Sequence, residues 1–248
     1  MLDNSEMKKQ KREFITHTGI YNDKRLSVIS TGIGTDNIDI VINELDALVN
    51  IDLEKRTVKE EKTSLNFIRI GTCGALHKNI PINSAIVSDF GLGFDNLLRF
   101  YKCQWDLDEK AMYDSIKHHL QYHLAYTPFY LFGGSKILSD LFPADQFFHG
   151  TTITAPGFFG PQGRSLRLEL AYPGLIDALA SYEFLGQKIL NFEMETSAIF
   201  GLSKMLGHRA TTVDLVLANR ATKEASIDYN EHMKGLAQKV LDIVSVLE

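Results

Sequence analysis

The sequence has little of what marks several common protein classes. Cysteine occurs only twice, at Cys73 and Cys103, and neither has a partner at the spacing of a metal site. A disulfide scaffold is therefore excluded. No apolar run approaches the roughly 18 residues of a membrane-spanning helix, and the first residues are too polar for a secretory signal. We therefore expect a cytoplasmic protein with no membrane partner.

An excess of positive charge is also missing. Lys and Arg number 26 against 31 Asp and Glu, which gives a formal net charge of −5. Nucleic-acid-binding domains usually carry a basic excess or stripe, and the short run of Lys8, Lys9, Lys11 and Arg12 is typical of a solvated arm. Nucleic acid is therefore not an expected partner. At 248 residues with 44% hydrophobic content, the chain can form one globular domain with a sizeable core.

Strand and helix patterns alternate along the chain, which indicates an α/β fold. Residues 25–30 predict a strand, which the glycine turn Gly32-Ile33-Gly34 joins to an amphipathic helix over 35–48, and we interpret these as a βα unit of a parallel sheet. The turn either binds an anion through its backbone N–H groups or is only a tight turn. Further strands are predicted over 65–70, 84–89, 151–155, 189–192 and 210–218, and further helices over 196–206 and 230–247.

Two carboxylates, Glu193 and Glu195, stand where the strand over 189–192 gives way to the helix over 196–206. Ligands bind beyond the carboxyl ends of strands in open α/β sheets, so both acids are candidates for a ligand site. The alternative is an acidic first helical turn, which the helix dipole favours. The residues alone favour neither interpretation.

Arg69, near the end of the strand over 65–70, is a candidate anion ligand. A guanidinium binds phosphate through two parallel hydrogen bonds, Thr72 offers a hydroxyl, and Gly71 and Gly74 allow a ligand to approach the backbone. The alternative is an ion pair between Arg69 and a neighbouring acid such as Asp89.

The loop over 156–164 is rich in proline and glycine and leads away from the strand over 151–155. Gln162 and Arg164 lie two residues apart, so in an extended loop their side chains share a face. Together they can satisfy the amide edge of a planar pyrimidine, with Phe158 over its ring. The alternative is a surface loop with an isolated arginine.

Three histidines, His118, His119 and His123, invite a metal-site interpretation. The i, i+4 pair lacks the glutamate of His-Glu-x-x-His, and no third ligand is evident in the sequence. We therefore expect no metal.

Three of these segments resemble the motifs of the nucleoside phosphorylase family, and of its uridine phosphorylase branch in particular. They are Arg-x-Gly-Thr-x-Gly at 69–74, Phe-x-x-x-Gln-x-Arg at 158–164 and Asn-Phe-Glu-Met-Glu at 191–195, in the family's order. The resemblance extends from Arg12 to the end of the chain. It implies a single α/β domain with a mixed, partly barrel-like β-sheet flanked by helices.

The resemblance also implies a role for each motif. Phosphate is held by Arg69 and Thr72, and by Arg12, which a partner subunit delivers. The implied nucleoside-binding residues are Cys73, Gly74, Phe158, Gln162, Arg164, Glu193, Met194, Glu195 and Arg220. Among them, Glu195 binds the ribose hydroxyls and Met194 packs under the sugar, while Arg220 supports the uracil-binding loop. Catalysis rests on Arg164, Gln162 and Glu195.

Three features depart from the family's pattern. Cys73 stands where threonine or serine is frequent, and its thiol is a poorer hydrogen-bond partner. Asn219 lies near the position where purine phosphorylases carry an aspartate, which favours a pyrimidine base. The chain also begins without the strand and the Gly-Asp-Pro-x-Arg phosphate loop that open the family's sequences, so we expect a domain over 1–248 with an incomplete phosphate shell.

The implied reaction is the phosphorolysis of uridine or deoxyuridine to uracil and the corresponding pentose 1-phosphate, in pyrimidine nucleoside salvage. Such a pentosyltransferase needs no cofactor, because inorganic phosphate is its co-substrate. The expected assembly is a homo-oligomer, with a dimer as the smallest site-forming unit and a hexamer in the family. Two alternatives stay open: a hydrolytic nucleosidase of the same fold, and an inactive or incomplete nucleoside-binding chain.

Overall fold

Two units make up the part of the chain that the structure describes, residues 4–120 and 128–247 of a computed structural model. The smaller unit lies within residues 1–33 and 227–248, and the larger one is formed by residues 34–226. Each unit has its own sheet and its own helices, and each is described by itself below.

The described residues form thirteen strands and six α-helices. The strands are β1 (Asn4–Lys11), β2 (Phe14–Tyr21), β3 (Lys24–Ile29), β4 (Ile51–Asp52), β5 (Thr57–Val58), β6 (Asn66–Ala75), β7 (Ala85–Gly93), β8 (Tyr130–Gly133), β9 (Phe148–Thr154), β10 (Glu183–Phe184), β11 (Gln187–Glu193), β12 (Arg209–Asn219) and β13 (Glu224–Ala225). The helices are α1 (Thr35–Asn50), α2 (Leu107–His119), α3 (Lys136–Ser139), α4 (Leu175–Ala180), α5 (Thr196–Leu206) and α6 (Tyr229–Val244). Within these ranges, no helix is both long enough and apolar enough to cross a membrane.

The smaller unit consists of the antiparallel sheet β1-β2-β3 and helix α6. Helix α6 confirms the helix predicted over 230–247, although it ends three residues earlier. Its apolar stripe buries Leu236, Val240 and Val244. The hydroxyl of Tyr21, at the end of β2, donates to a carboxylate oxygen of Asp242 on α6. This buried tyrosine therefore ties the sheet to the helix.

The prediction that residues 25–48 form a βα unit of a parallel sheet is wrong, because the strand belongs to an antiparallel sheet. Strand β3 pairs antiparallel with β2 in the smaller unit, from Thr16 opposite Ile29 to Tyr21 opposite Lys24. The helix over 35–48 is confirmed as α1, which belongs to the larger unit. A strand, glycine turn and helix are thus all present. The pairing partner of a strand, however, is decided by its register with a distant segment, which a local pattern does not contain.

The sheet of the larger unit runs in the order β13-β12-β6-β11-β9-β7-β8. An additional pairing of β12 with β7 closes five of these strands into a ring. The pairs β12–β6, β11–β9 and β7–β9 are parallel, whereas β11–β6 and β12–β7 are antiparallel. The expected fold class is confirmed: an α/β protein with a mixed, partly barrel-like sheet flanked by helices.

Helix α5 packs in the core of the larger unit and begins just after strand β11 ends. Its first eight residues are buried, and Ala198 and Ile199 pack with Ile38 and Ile42 of α1. The helix also lies close against β7, where a Cβ on Gly91 would stand 2.7 Å from the Cα of Ser197. Only glycine fits at that position. This packing fixes where α5 begins, directly after β11.

Most strand predictions in the larger unit are confirmed. Strands β9, β11 and β12 match the predicted segments, β7 begins where it was predicted but continues to Gly93, and α5 has both of its predicted bounds. The prediction over 65–70 is correct in kind but too short, because β6 continues to Ala75. Its pairing with β12 runs through Gly71 opposite Asp214 to Ala75 opposite Asn219. Arg69 is therefore an interior residue of the strand, not one near its end.

Candidate functional site

Three carboxylates surround the guanidinium of Arg69. Its Nη1 lies 2.5 Å from Oδ1 of Asp214, and its Nη2 lies 2.5 Å from Oε2 of Glu195 and 3.3 Å from Oε2 of Glu193. No side chain of the four is more than 14% exposed. They come from β6, from the end of β11, from β12 and from the residue directly before α5. We call these four residues the arginine–carboxylate cluster.

Arg69 reaches Asp214 by folding over Gly71. The parallel pairing of β6 and β12 places Gly71 opposite Asp214, and Arg69, two residues earlier, is on the same face of β6. A Cβ on Gly71 would lie 2.2 Å from Nη1 of Arg69. The glycine of the Arg-x-Gly sequence therefore makes room for the arginine itself.

The ion-pair alternative for Arg69 is confirmed, but the expected partner Asp89 is wrong. Asp89 accepts a hydrogen bond from Gln187 at 3.0 Å and lies 3.4 Å from Nδ1 of His149. Sequence reasoning misses Asp214 as a site residue. The signal that points to it is a single acid in the interior of a buried strand, since such a charge needs a partner.

Glu193 acts as the N-terminal cap of helix α5. Its carboxylate accepts hydrogen bonds from the backbone N–H of Glu195 at 2.8 Å and of Thr196 at 2.9 Å, and from the hydroxyl of Thr154 at 2.6 Å. These are the amides that a helix start leaves without partners. The interpretation as an acidic first turn is wrong in position, because Glu193 is the last residue of β11 and the first turn of α5 contains no acid, but its carboxylate does satisfy amides at the start of the helix.

Glu195 instead faces donors on other elements. Its Oε1 accepts from the backbone N–H of Gly34 at 2.6 Å, and its Oε2 is the oxygen paired with Arg69. Gly34 precedes α1 with a φ of 97°, a conformation that favours glycine. The glycine turn does bind an anion through its backbone, and this anion is a carboxylate of the chain. Of the two acids, Glu195 is the one placed to exchange its donors for a ligand.

The charges of the cluster do not balance, since three carboxylates face one guanidinium. Burial raises the pKa of Glu193 to about 7, although Arg69 opposes this. Burial likewise raises the pKa of Asp214. For Arg69, burial favours the neutral form, but Asp214 and the two glutamates outweigh it and raise its pKa. Arg69 thus stays charged, and Glu193 is the acid whose pKa lies near neutral pH.

The remaining predicted positions of this region lie where β6 and β11 meet. Gly74 is opposite Phe192 in an antiparallel pair, and a Cβ on Gly74 would have its nearest neighbour 3.9 Å away. Cys73 is buried, and burial raises the pKa of its thiol well above the ordinary value. Thr72 and Met194 are half-buried. Cys73 is therefore a packing residue with a protonated thiol.

The loop over 156–164 is folded, not extended as expected. Gly160–Gln162 form a 3₁₀ turn, which Gly163 follows with a φ of 66°. Nη1 of Arg164 donates to Oε1 of Gln162 at 2.6 Å and to the carbonyl oxygen of Phe158 at 2.5 Å. The Cζ of Arg164 lies 3.8 Å from the centroid of the Phe158 ring, as in a cation–π contact. The three predicted side chains are together, brought there by the turn.

A second arginine supports this loop from the end of β12. Nη2 of Arg220 donates to the carbonyl oxygen of Gln162. Burial lowers the pKa of Arg164 to about 10, and the nearby charge of Arg220 adds to this effect. Burial also lowers the pKa of Arg220. Two neighbouring cations, Arg164 of the loop and Arg220 after β12, therefore lie at this position.

The side chain of Asn219 is fully occupied by the backbone around it. Its Nδ2 donates to the carbonyl oxygens of His77 at 2.8 Å and Ile80 at 2.7 Å. Its Oδ1 accepts from the backbone N–H of Ala221 at 2.9 Å and of Thr222 at 3.0 Å. Two donations and two acceptances are the full capacity of an amide. Asn219 therefore shapes the turn after β12 and has no group left for a ligand.

Arg12 belongs to the smaller unit. It lies at the turn between β1 and β2, where it is exposed and has a φ of 55°. The structure thus places it on an accessible hairpin tip.

The histidines of the metal interpretation lie apart from the cluster. His118 is exposed, and Nε2 of His119 contacts the carbonyl oxygen of Ala178 at 2.8 Å. His123 lies outside the described residues. In the parts of the chain that the structure describes, no group of three or more His, Cys, Asp or Glu side chains is arranged to hold a metal.

A groove of about 770 Å³ lies elsewhere on the larger unit. It is lined near the beginnings of β9 and β12 by His149 and Arg209, together with Asp89 and the ion pair of Glu109 with Lys204. The predicted ligand residues are at the other ends of these strands. The groove is therefore separate from the candidate site.

Comparisons with known proteins give a consistent family. The sequence model of the phosphorylase superfamily matches residues 1–247. The uridine phosphorylase of Thermococcus kodakarensis is 28% identical over 92% of this chain and 73% of its own length. The DeoD-type purine nucleoside phosphorylase of Bacillus subtilis is 26% identical over 86% of this chain and 71% of its own. A Trypanosoma brucei nucleoside phosphorylase, whose crystal structure is described as showing uridine phosphorylase activity, matches with a TM-score of 0.83 and 27% identity, over 98% of this chain and 85% of its own.

The raised pKa of Glu193 predicts how the stability of the chain depends on pH. Between its ordinary pKa of 4.5 and the folded value of about 7, the folded state keeps a proton that the unfolded chain has lost. The free energy of unfolding therefore falls as the pH rises through this window. Glu193→Gln cannot titrate, so the wild type should lose up to roughly 3 kcal/mol relative to this variant between pH 5 and pH 8.

The measurement is urea unfolding of both proteins at several pH values. The control is Glu183→Gln, which removes an exposed carboxylate paired with Lys188 and should leave the pH dependence as in the wild type. A wild type that gains stability over Glu193→Gln with rising pH would show that Arg69 and the amides of α5 outweigh burial.

Proposed function

Because this chain belongs to the phosphorylase superfamily, we propose that it catalyses the phosphorolysis of uridine, and of deoxyuridine, to uracil and the pentose 1-phosphate. The observation that carries the proposal is the direct contact of Arg69 with Glu195 at 2.5 Å. One is a phosphate-binding group and the other a hydroxyl-binding group. Phosphorolysis of a nucleoside requires these two ligands side by side.

Phosphate and ribose are bound in this proposal by the cluster and its neighbours. Arg69 and Thr72 hold the phosphate, and Glu195 accepts hydrogen bonds from the ribose hydroxyls, with Met194 packed under the sugar. An ionised carboxylate can accept two hydroxyl protons at once, in charge-assisted bonds. When Glu195 turns to the ribose, Nη2 of Arg69 becomes available to the phosphate. Glu193 keeps the start of α5 in place during this exchange. Cys73 and Gly74 complete the wall of the nucleoside site.

The base is bound in this proposal by the loop over 156–164. Gln162 and Arg164 face the amide edge of uracil, and the ring of Phe158 covers the face of the uracil ring. Arg164 is held by Gln162 and by the carbonyl oxygen of Phe158, and Arg220 holds the loop through Gln162. These contacts orient the guanidinium of Arg164 before the substrate binds. Preorganised charge of this kind is usually the largest single contribution to lowering the activation barrier.

The reaction itself exchanges one bond at C1′ of the sugar. A phosphate oxygen forms a bond to C1′ while the bond from C1′ to N1 of uracil breaks, and the bonding electron pair leaves with the base. Arg164 stabilises the negative charge that develops on the uracil oxygens. The proton of hydrogen phosphate ends on the released uracil, so no cofactor is needed.

A pyrimidine fits the end of β12 better than a purine. Purine phosphorylases use an aspartate near the Asn219 position to protonate the base. Asn219 cannot protonate a base, and its amide is committed to four backbone partners.

The assembly proposed for this reaction is a homo-oligomer with a dimer as its smallest active unit, and a hexamer by analogy with the family. The exposed position of Arg12 on a hairpin tip suits a residue that reaches a second subunit. We place the reaction in pyrimidine nucleoside salvage in the cytoplasm, a compartment in which the two free cysteines stay reduced.

A hydrolytic nucleosidase of the same fold is the second candidate. Water would then replace phosphate as the nucleophile. The charge excess of the cluster favours this reading, because three carboxylates around Arg69 repel an added anion. The two reactions differ in their need for phosphate and in their sugar product.

The first test is the phosphate dependence of uracil release. With uridine as substrate, release should require added phosphate and should yield ribose 1-phosphate, measured by liquid chromatography. Inosine is the control substrate and should be split far more slowly. Equal rates without phosphate, with free ribose as the product, would assign the chain to the nucleosidases.

The second test is the variant Arg164→Ala. Loss of one charge-stabilising donor should lower kcat/KM for uridine by about 10²-fold or more, with little change in Tm. Arg167→Ala is the matched control, because Arg167 is an exposed arginine of the adjoining segment. If Arg164→Ala retained wild-type kcat/KM, the uracil-binding role of the loop would be wrong.

The third test concerns Arg12 and uses mixed oligomers. Arg12→Ala and Arg164→Ala chains should each be weakly active alone. If Arg12 acts across a two-fold interface, co-refolded mixtures contain dimers in which one site has both arginines, and about a quarter of the wild-type sites recover. Recovery of activity on mixing supports the cross-subunit role, and no recovery contradicts it.

A further inference from the structure

Asp214 holds one end of the Arg69 guanidinium, and the two glutamates hold the other. Nη1 of Arg69 donates to Asp214, whereas Nη2 is shared by Glu195 and Glu193. The proposed reaction needs only the Nη2 end to be released to a ligand. The Nη1 end can stay bound throughout.

Asp214 is held more firmly than Glu195. It is completely buried in the middle of β12, an eleven-residue strand paired with β6 on one side and β7 on the other. Glu195, in contrast, directly precedes α5, and its carboxylate contacts the backbone N–H of Gly34 and the guanidinium of Arg69. A ligand can therefore displace Glu195 far more easily than Asp214.

A line of buried polar side chains backs Asp214. Nδ2 of Asn191 lies 3.5 Å from Oδ2 of Asp214, and Oδ1 of Asn191 accepts from the hydroxyl of Thr152 at 2.8 Å. The hydroxyl of Ser88 lies 2.6 Å from that of Thr152 and donates to it, because the proton of Thr152 is already committed. These four side chains, from β12, β11, β9 and β7, are completely buried. We call them the polar chain.

Such a polar chain has no reason to exist for packing alone. Apolar side chains of similar volume would fill the same space without the loss of hydration that buried polar groups incur. What the chain achieves is to fix the position of one carboxylate. Among the residues that the structure describes, the cation that this carboxylate contacts is Arg69.

We propose that Asp214, backed by Asn191, Thr152 and Ser88, is a positioning residue that keeps the guanidinium of Arg69 aimed at phosphate when Glu195 turns to the nucleoside. This inference rests on the proposed phosphorolysis. It adds that the direction of Arg69 is set from the strand behind it and not by the ligand. The Arg-x-Gly sequence contributes to the same positioning, because Gly71 leaves room for the guanidinium of Arg69 to reach Asp214.

The test compares Asp214→Leu, which removes the acceptor, with Asp214→Asn, which keeps an acceptor and removes the charge. Asp214→Leu should raise KM for phosphate by about tenfold or more, while KM for uridine changes little. Asp214→Asn should recover most of this loss. Glu109→Gln is the control, since Glu109 is an equally buried acid paired with Lys204 outside the candidate site, and its KM for phosphate should equal that of the wild type.

A second readout follows the guanidinium directly, by NMR of chains labelled with ¹⁵N-arginine. Arg69, assigned by its loss in Arg69→Lys, should show slow rotation about the Nε–Cζ bond in the wild type and faster rotation in Asp214→Asn. This measurement stays decisive if Asp214→Leu does not fold.

The failures of the two proposals are distinguishable. A wild type that needs no phosphate overturns the phosphorolysis. If the wild type is phosphate-dependent, the positioning role alone is overturned when Asp214→Leu keeps the wild-type KM for phosphate or Asp214→Asn keeps the slow rotation of Arg69.

Discussion

The larger unit depends on burying one arginine among three carboxylates. The three carboxylates would be unfavourable in the interior without Arg69, so removal of the arginine would leave buried acids with no cation beside them. The contacts also join elements that are distant in sequence, since Arg69 lies on β6, Asp214 on β12, and Glu193 and Glu195 at the junction of β11 and α5. The same contacts therefore tie β6, β12 and the end of β11 together at the place where the proposed ligands bind.

Local sequence patterns predict the individual elements of this protein well, because their signal lies within a few residues. Helix α5 has its predicted bounds, and β7, β9, β11 and β12 stand where alternating or continuous apolar runs place them. Patterns of this kind do not determine which strands pair. Strand β3 therefore joins the antiparallel sheet of the smaller unit, although its sequence has every local feature of a βα unit.

The same limit applies to the candidate site. The motif residues Arg69, Glu193 and Glu195 are recognisable along the chain, but the guess of Asp89 as a partner rests on nearness in sequence. The actual partner, Asp214, becomes visible only when β6 and β12 are placed in register, with Gly71 opposite Asp214. A sequence motif indicates the candidate ligand-binding residues. The residues that contact them from neighbouring strands depend on how the strands pair.

The pair Glu193 and Glu195 shows how stability and chemistry share one short segment. Strand β11 ends and α5 begins within three residues, so one carboxylate must meet the unpaired amides of the helix start, and Glu193 does. That fixes the backbone from which Glu195 projects, with its oxygens on Gly34 and Arg69. The two interpretations of an acidic pair at a strand end are therefore not exclusive. The first acid binds the amides of the turn, and the second acid projects from that turn toward Gly34 and Arg69.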